Sequence, residues 1–180
     1  AATNNMIRLF KVNRARADSP AEDVQGRWVE CSPESVRGFS AVGYYFGRDL
    51  QAARKVAVGL IGSSWGGTPA EAWTSPEMLQ RRLRWRKEII EGYQTALQRY
   101  RAALERFEQE KKEAQAAGRE FKKRAPREPW APSVLYNGMI APLQPYAFKG
   151  AIWYQGESNA SRAEQYRELF PDMIRSWREA

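Results

Sequence analysis

An α/β fold organised on a parallel sheet is predicted by three observations. Short apolar runs rich in β-branched residues alternate with longer stretches of helical periodicity. Two of those runs end directly in polar turns that carry glycine, Gly62–Thr68 (GSSWGGT) and Gln155–Asn159 (QGESN). The chain has 180 residues, 43% of them apolar and 12% aromatic, which suffices for one hydrophobic core and is too apolar for wholesale disorder.

Taken in order, Ile7–Val12 (IRLFKV) reads as a strand and Arg27–Cys31 (RWVEC) as a weaker one. Ser40 can cap a helix in which Val42, Tyr45, Phe46, Leu50 and Ala53 recur at spacings of three and four, one apolar stripe. Val56–Ile61 (VAVGLI) is an unbroken apolar run and reads as a buried parallel strand running into the first glycine turn. From Pro76 to about Ala117 a long helix is expected. Ile90, Tyr93, Leu97, Tyr100, Leu104 and Phe107 form an a/d seam that needs a partner helix or a protein surface, and Gly118 is the expected stop. Lys122–Pro132 (KKRAPREPWAP) reads as a basic, Pro-rich linker. Leu135–Leu143 (LYNGMIAPL) follows, then Phe148–Tyr154 (FKGAIWY), read as a buried strand ending in the second glycine turn. Ser161 opens a final helix with Tyr166, Leu169, Phe170, Met173, Ile174 and Trp177 on one face. The expected division is 1–74 and 133–180 as two parts of one domain, truncated at both ends, with 75–132 as a charged helical insertion.

The formal charge is +8, and residues 77–128 hold 15 Lys/Arg against 9 Asp/Glu, net +6. The basicity therefore belongs to the inserted helix, whose interleaved signs read as a solvated surface rather than a nucleic-acid site. No apolar run approaches the roughly 18 residues of a membrane span. The single cysteine, Cys31, rules out an internal disulfide framework and reads as a small buried residue. There is no histidine, so these residues alone hold no Ser-His-Asp or Cys-His triad and no His-ligated metal.

Chemistry is expected at the two turns. Glycine lets backbone N–H groups approach a ligand, as an oxyanion hole requires. The first turn also matches G-x-S-x-G at Gly62, Ser64 and Gly66, which makes Ser64 a formal nucleophile-elbow candidate. Against it stand the missing histidine, the absence of an S-x-x-K signature, and Pro69 followed by Glu71-Ala72-Trp73 where a long helix should begin. The same residues also suit plain structural roles: a tight turn closing a strand, Ser158 or Ser161 as a helix cap, Glu157 as a first-turn carboxylate. Asn159-Ala160-Ser161 matches the N-glycosylation sequon.

Three blocks, Val58–Trp73 (VGLIGSSWGGTPAEAW), Leu135–Leu143 (LYNGMIAPL) and Ala151–Ala160 (AIWYQGESNA), together resemble bacterial sialate O-acetylesterases, which are SGNH-type hydrolases. The resemblance runs from about Ile7 to the C-terminus and implies a flavodoxin-like three-layer fold. In that family the nucleophilic Ser sits in a G-Q-S-N block near the mature N-terminus and the base in an Asp-x-x-His block near the C-terminus. Neither is present here, the opening Ala1–Met6 (AATNNM) having no Ser. The resemblance carries over an oxyanion hole: a backbone N–H from Gly66 or Gly67, and a side-chain donor from Gln155 or the competing Asn159. Trp65, Glu71, Trp73 and Glu157 would position the loops or border the sugar pocket. The implied substrate is an acetyl ester on sialic acid or a related glycan. The implied route is a Ser-nucleophile acetyl-enzyme without metal or cofactor, and the family's habit implies export to the periplasm or outside the cell.

Two other readings compete. A non-catalytic glycan-binding module would use Trp65, Trp73, Trp130 and Trp153 as stacking platforms. An interaction helix would dimerise through the seam between Pro76 and Ala117. Oligomeric state is not specified by the residues.

Overall fold

The structure, a computed structural model, describes residues 2–144 and 146–180; Ala1 of the opening block lies outside them. Its sheet has three strands in the order β2-β1-β3. β1 (Asn4–Lys11) and β3 (Val58–Gly62) pair in parallel with Leu9 opposite Leu60, and β2 (Trp28–Cys31) pairs antiparallel to β1. The result is a mixed α/β fold with one parallel strand pair. The expected α/β class is there in that form, and the sheet is small and mixed rather than wholly parallel.

Alternation in β1 explains its two sides. Ile7 and Leu9 are buried with Cys31 and pack against Val36, Phe39, Tyr44, Val58 and Leu60, while Phe10 joins a larger core on the other side. Cys31 is the small buried residue expected; burial pushes its thiol pKa up, and the thiol donates to the Ala2 carbonyl at 3.0 Å. β3 is only half-buried and Val56 is exposed, so the buried strand expected at Val56–Ile61 is instead an edge strand with one neighbour.

Helix α1 (Ala41–Arg54) starts where expected. The Ser40 hydroxyl accepts from the Gly43 N–H at 3.2 Å. Its packed face is not the expected one. Val42, Tyr45, Phe46 and Leu50 are exposed, and Gly47 is the helix's buried residue. A Cβ on Gly47 would come within 2.5 Å of the Leu60 side chain, so the helix lies on β3 through its smallest residue and turns the large apolar stripe outward. Gly47→Ala should therefore lower unfolding stability by about 1–3 kcal/mol through overpacking. Chemical denaturation reads this, and an unchanged midpoint refutes the packing.

The charged region is a broken helix. α2 (Pro76–Arg81) is capped by Ser75, whose hydroxyl accepts from the Met78 N–H; Arg82 is extended; a short α3 (Leu83–Trp85) and a π-helical turn (Arg86–Glu91) lead into α4 (Gly92–Ala116). Gly118 stops it with φ +64°, and the Arg119 N–H closes onto the Ala114 carbonyl at 2.8 Å. Two seam residues are covered by this chain itself: Ile90 packs against the larger core, and Phe107 against the returning segment. Phe121 meets Phe107 at 5.2 Å between ring centroids, and Lys123 reaches Glu110 at 2.7 Å. Among the described residues no helix is long and apolar enough to cross a membrane.

The larger core joins Trp73, Leu79, Trp85, Ile89, Leu135, Met139, Leu169 and Met173. Leu135 and Met139 lie on α5 (Val134–Met139), Leu169 and Met173 on α6 (Ala163–Glu179). Ser161 does not open α6 as expected: a 3-10 turn, Glu157–Arg162, precedes it. The segment expected as a buried strand, Phe148–Tyr154, is not in the sheet; Phe148, Ile152 and Tyr154 are exposed. Trp153 alone points inward, packed between Trp73, Phe170 and Trp177 at 5.4–6.4 Å. The backbone is held by that side chain and not by a neighbouring strand edge.

Candidate functional site

β1 and β3 are parallel, so their carboxyl ends lie on one edge of the sheet, where the Val12 N–H donates to the Gly62 carbonyl at 3.0 Å. The first glycine turn leaves from that edge. Gly67 has φ +76°, a conformation that needs glycine, and both Gly66 and Gly67 are exposed, with nothing within 4 Å of where a Cβ would stand. Among the described residues neither glycine N–H is spent on a protein acceptor. The turn is braced from inside: the Thr68 hydroxyl donates to the Trp65 carbonyl at 2.7 Å and accepts from the Trp73 indole N–H at 2.8 Å.

The second glycine turn packs directly behind the first. Gln155 Nε2 donates to the Thr68 carbonyl at 3.1 Å and to Asn159 Oδ1 at 2.7 Å. Asn159, 1% exposed, also accepts from the Ala70 N–H at 2.9 Å and donates to Glu71 Oε2 at 3.0 Å. The other Glu71 oxygen takes the Arg162 guanidinium at 2.7 Å, and the Glu71 carbonyl accepts from the Ser133 N–H. Gln155 Oε1 is buried without a partner among the described residues.

The structure thus brings Gly66, Gly67, Glu71, Trp73, Gln155 and Asn159 together. Trp73 is buried as a brace; Trp65 is half-buried and borders the turn. Glu157 is exposed and makes none of these contacts. Ser64 is exposed, and only the four-residue 3-10 turn Ala70–Trp73 follows its loop, unlike a nucleophile elbow. Thr68 and Arg162 were not singled out from sequence. Arg162 lies three residues after Asn159 in a 3-10 turn, a spacing that stacks side chains, and this was its available signal. Among the described residues no group of three or more His, Cys, Asp or Glu could hold a metal ion.

Comparison with known proteins supplies the family context. No family model matches the chain. It is 32% identical over 191 residues to sialate O-acetylesterase of Rattus norvegicus and 31% identical to that of Homo sapiens, in each case over 99% of this chain. Its relatives are sialate O-acetylesterases. A crystal structure of a carbohydrate acetylesterase from Xanthomonas citri superimposes with a TM-score of 0.68 at 31% identity, covering 99% of this chain. The chain spans about a third of these relatives: 34% of the rat protein, 30% of the human one and 32% of the Xanthomonas structure.

Proposed function

We propose that this chain supplies the oxyanion-stabilising part of a serine-nucleophile acetylesterase acting on O-acetyl esters of sialic acid or a related glycan, within a flavodoxin-like three-layer SGNH fold. The observation that carries the reading is the direct contact of the two glycine turns through Gln155 and Thr68. The exposed amides of Gly66 and Gly67 are free to donate to a developing alkoxide. Gln155 is the side-chain donor once it releases the Thr68 carbonyl. Asn159, buried and engaged three ways, holds the turn. Glu71, Trp73 and Arg162 fix the geometry from behind. The reaction needs a Ser nucleophile and a base that takes its proton. With no histidine in these 180 residues, polypeptide outside them would provide the acid-base pair. Attack on the ester carbonyl forms a tetrahedral oxyanion held by the donors; collapse expels the sugar hydroxyl, and water then releases acetate. The division into 1–74 and 133–180 as esterase parts around the inserted 75–132 follows from the same reading.

The test uses p-nitrophenyl acetate. The 180-residue chain should show no enzymatic turnover, and the polypeptide expressed from the complete reading frame should. In the latter, Gln155→Ala should lower kcat by about 10²–10³-fold, the effect of losing one oxyanion donor. Turnover by the 180-residue chain that disappears in Ser64→Ala would replace this reading with the elbow mechanism.

A further inference from the structure

The charged helical region reaches the second glycine turn through hydrogen bonds that the acetylesterase reading does not yet use. Glu88, on the π-helical turn Arg86–Glu91, accepts at Oε2 from Gln165 Nε2 at 3.0 Å. Gln165, in the first turn of α6, accepts at Oε1 from the Arg162 guanidinium at 2.9 Å. Arg162 turns its other terminal nitrogen to Glu71 at 2.7 Å, Glu71 accepts from Asn159 Nδ2 at 3.0 Å, and Asn159 Oδ1 accepts from Gln155 Nε2 at 2.7 Å. We propose that Gln165 and Glu88 are positioning residues for the ester site: they hold Arg162 so that this line of donors and acceptors presents Gln155 with its N–H side toward the first glycine turn. The inference rests on the acetylesterase reading for what that turn does. It makes the region 75–132 a working part of the site instead of a separable insertion.

The chemistry of each group fixes the sense of every link. A guanidinium only donates and a carboxylate only accepts, whereas a carboxamide does either, depending on which way it is turned. Gln165 stands between Arg162 and Glu88, so its oxygen faces the cation and its nitrogen the anion. Turned over, it would set an NH2 against a guanidinium and an oxygen against a carboxylate. Glu71 turns Asn159 in the same manner, claiming its nitrogen and leaving its oxygen for the Ala70 and Gln155 N–H groups. Gln155 then faces two acceptors, Asn159 Oδ1 and the Thr68 carbonyl, and meets both with Nε2. Its Oε1 is buried with no partner among the described residues, as expected of an amide whose orientation its neighbours impose. An oxyanion needs a donor, so the opposite orientation would present the wrong atom.

The supporting end of the line is anchored. Gln165 is 8% exposed and Glu71 7%, so water competes little for these bonds. Arg84 Nε donates to the second Glu88 oxygen at 2.8 Å and also pairs with Glu168 of α6. The Gln165 hydrogen bond, opposed by burial and seconded by Arg84, holds the Glu88 carboxyl below its usual range, so Glu88 stays an acceptor. Ile89, the next residue of the π-helical turn, is buried in the larger core and fixes the backbone from which Glu88 reaches α6.

The experiment reads the side-chain NH2 groups of Gln155 and Asn159 by heteronuclear NMR of the 180-residue chain, and p-nitrophenyl acetate turnover by the complete polypeptide. Gln165→Leu keeps the volume and removes both hydrogen bonds. It should shift both NH2 signals, speed their exchange with water, and lower kcat about tenfold with KM within about twofold. Glu88→Ala, on a half-exposed side chain of another element, should move the same signals and lower kcat about threefold, and Glu88→Gln, which keeps an acceptor oxygen, should recover most of that loss. Arg81→Ala cuts a different link between the charged region and α6, the ion pair with Glu179, and should move neither signal. A role in stability alone would lower the melting temperature and leave the two NH2 groups as they are. If Gln165→Leu does not fold, the Glu88 pair decides. Unmoved signals in the folded variants, an equal response in Arg81→Ala, or moved signals with kcat intact would each overturn the positioning role. The NH2 readout needs no turnover, so a complete polypeptide that fails to hydrolyse the ester counts against the acetylesterase reading and leaves the amide result to be judged separately.

Discussion

Asp172→Ala should lower the unfolding free energy of this chain by about 1–3 kcal/mol, the cost of leaving a buried donor without its acceptor. Asp172 is 0% exposed on α6. Its Oδ2 accepts from the Trp85 indole at 2.8 Å and lies 3.0 Å from Arg82 Nε. Its Oδ1 lies 3.0 Å from the Arg175 guanidinium as an ion pair without hydrogen-bond alignment. Trp85 is itself 0% exposed, so truncating the carboxylate orphans a buried indole N–H and leaves two guanidinium groups facing an empty site. The interaction fastens the start of the charged helical region to α6, with Arg82 and Arg84 pairing to Glu168 beside it. Urea denaturation followed by Trp fluorescence reads the loss. Asp172→Asn, which keeps an acceptor for Trp85 but no charge for the arginines, should fall between wild type and Ala. A loss below about 1 kcal/mol for Asp172→Ala would mean that solvent reaches the site.

Elements whose stability is local were readable from the residues alone. Ser40 caps its helix because a hydroxyl three residues ahead of an N–H needs nothing else, and Gly118 ends α4 because only glycine takes its dihedral without strain. Where an outcome depends on what packs opposite, periodicity failed. α1 has a stripe of large apolar residues, yet it docks through Gly47, since close approach to Leu60 outweighs the size of Tyr45 and Phe46. Phe148–Tyr154 has strand composition, but a strand needs a neighbouring edge, and this segment is anchored by Trp153 in an aromatic cluster. The seam of α4 announced that it needed a cover without specifying that Phe121 of the returning chain would be part of it. At the site, the two glycine turns, with Gln155 and Asn159 in the second, stood out as polar segments after apolar runs, whereas Glu71 was implied by the family resemblance. The hydrogen bonds joining them span 87 to 89 positions in sequence, so which atom meets which was set by the fold.

Asn159→Ala should be more damaging than the loss of Asp172, at about 3–4 kcal/mol, and should also cripple the proposed esterase. One small side chain satisfies three groups at once: the Ala70 N–H, one Gln155 amide hydrogen and a Glu71 carboxylate oxygen. Removing it leaves each buried group short of a partner, at roughly 1–3 kcal/mol apiece when no water enters. The two glycine turns would then lose the link that sets their separation. Asn159→Asp separates this from simple truncation. It keeps the acceptor for Ala70 and Gln155 but places a second carboxylate where Nδ2 now stands 3.0 Å from Glu71. Two carboxylates so close favour sharing a proton, which raises the folded-state pKa of the pair above its unfolded value. The sign follows from linkage: folding then binds protons, so the variant is most stable below the ordinary carboxylate range and loses stability as pH rises through the raised value. Denaturation midpoints at pH 4 and pH 7 (about the two sides of that range) should therefore show Asn159→Asp recovering relative to wild type at the acid end, while Asn159→Ala shows no such recovery. Equal behaviour of the two variants at both values would show that Asn159 merely fills space and that Glu71 does not depend on it.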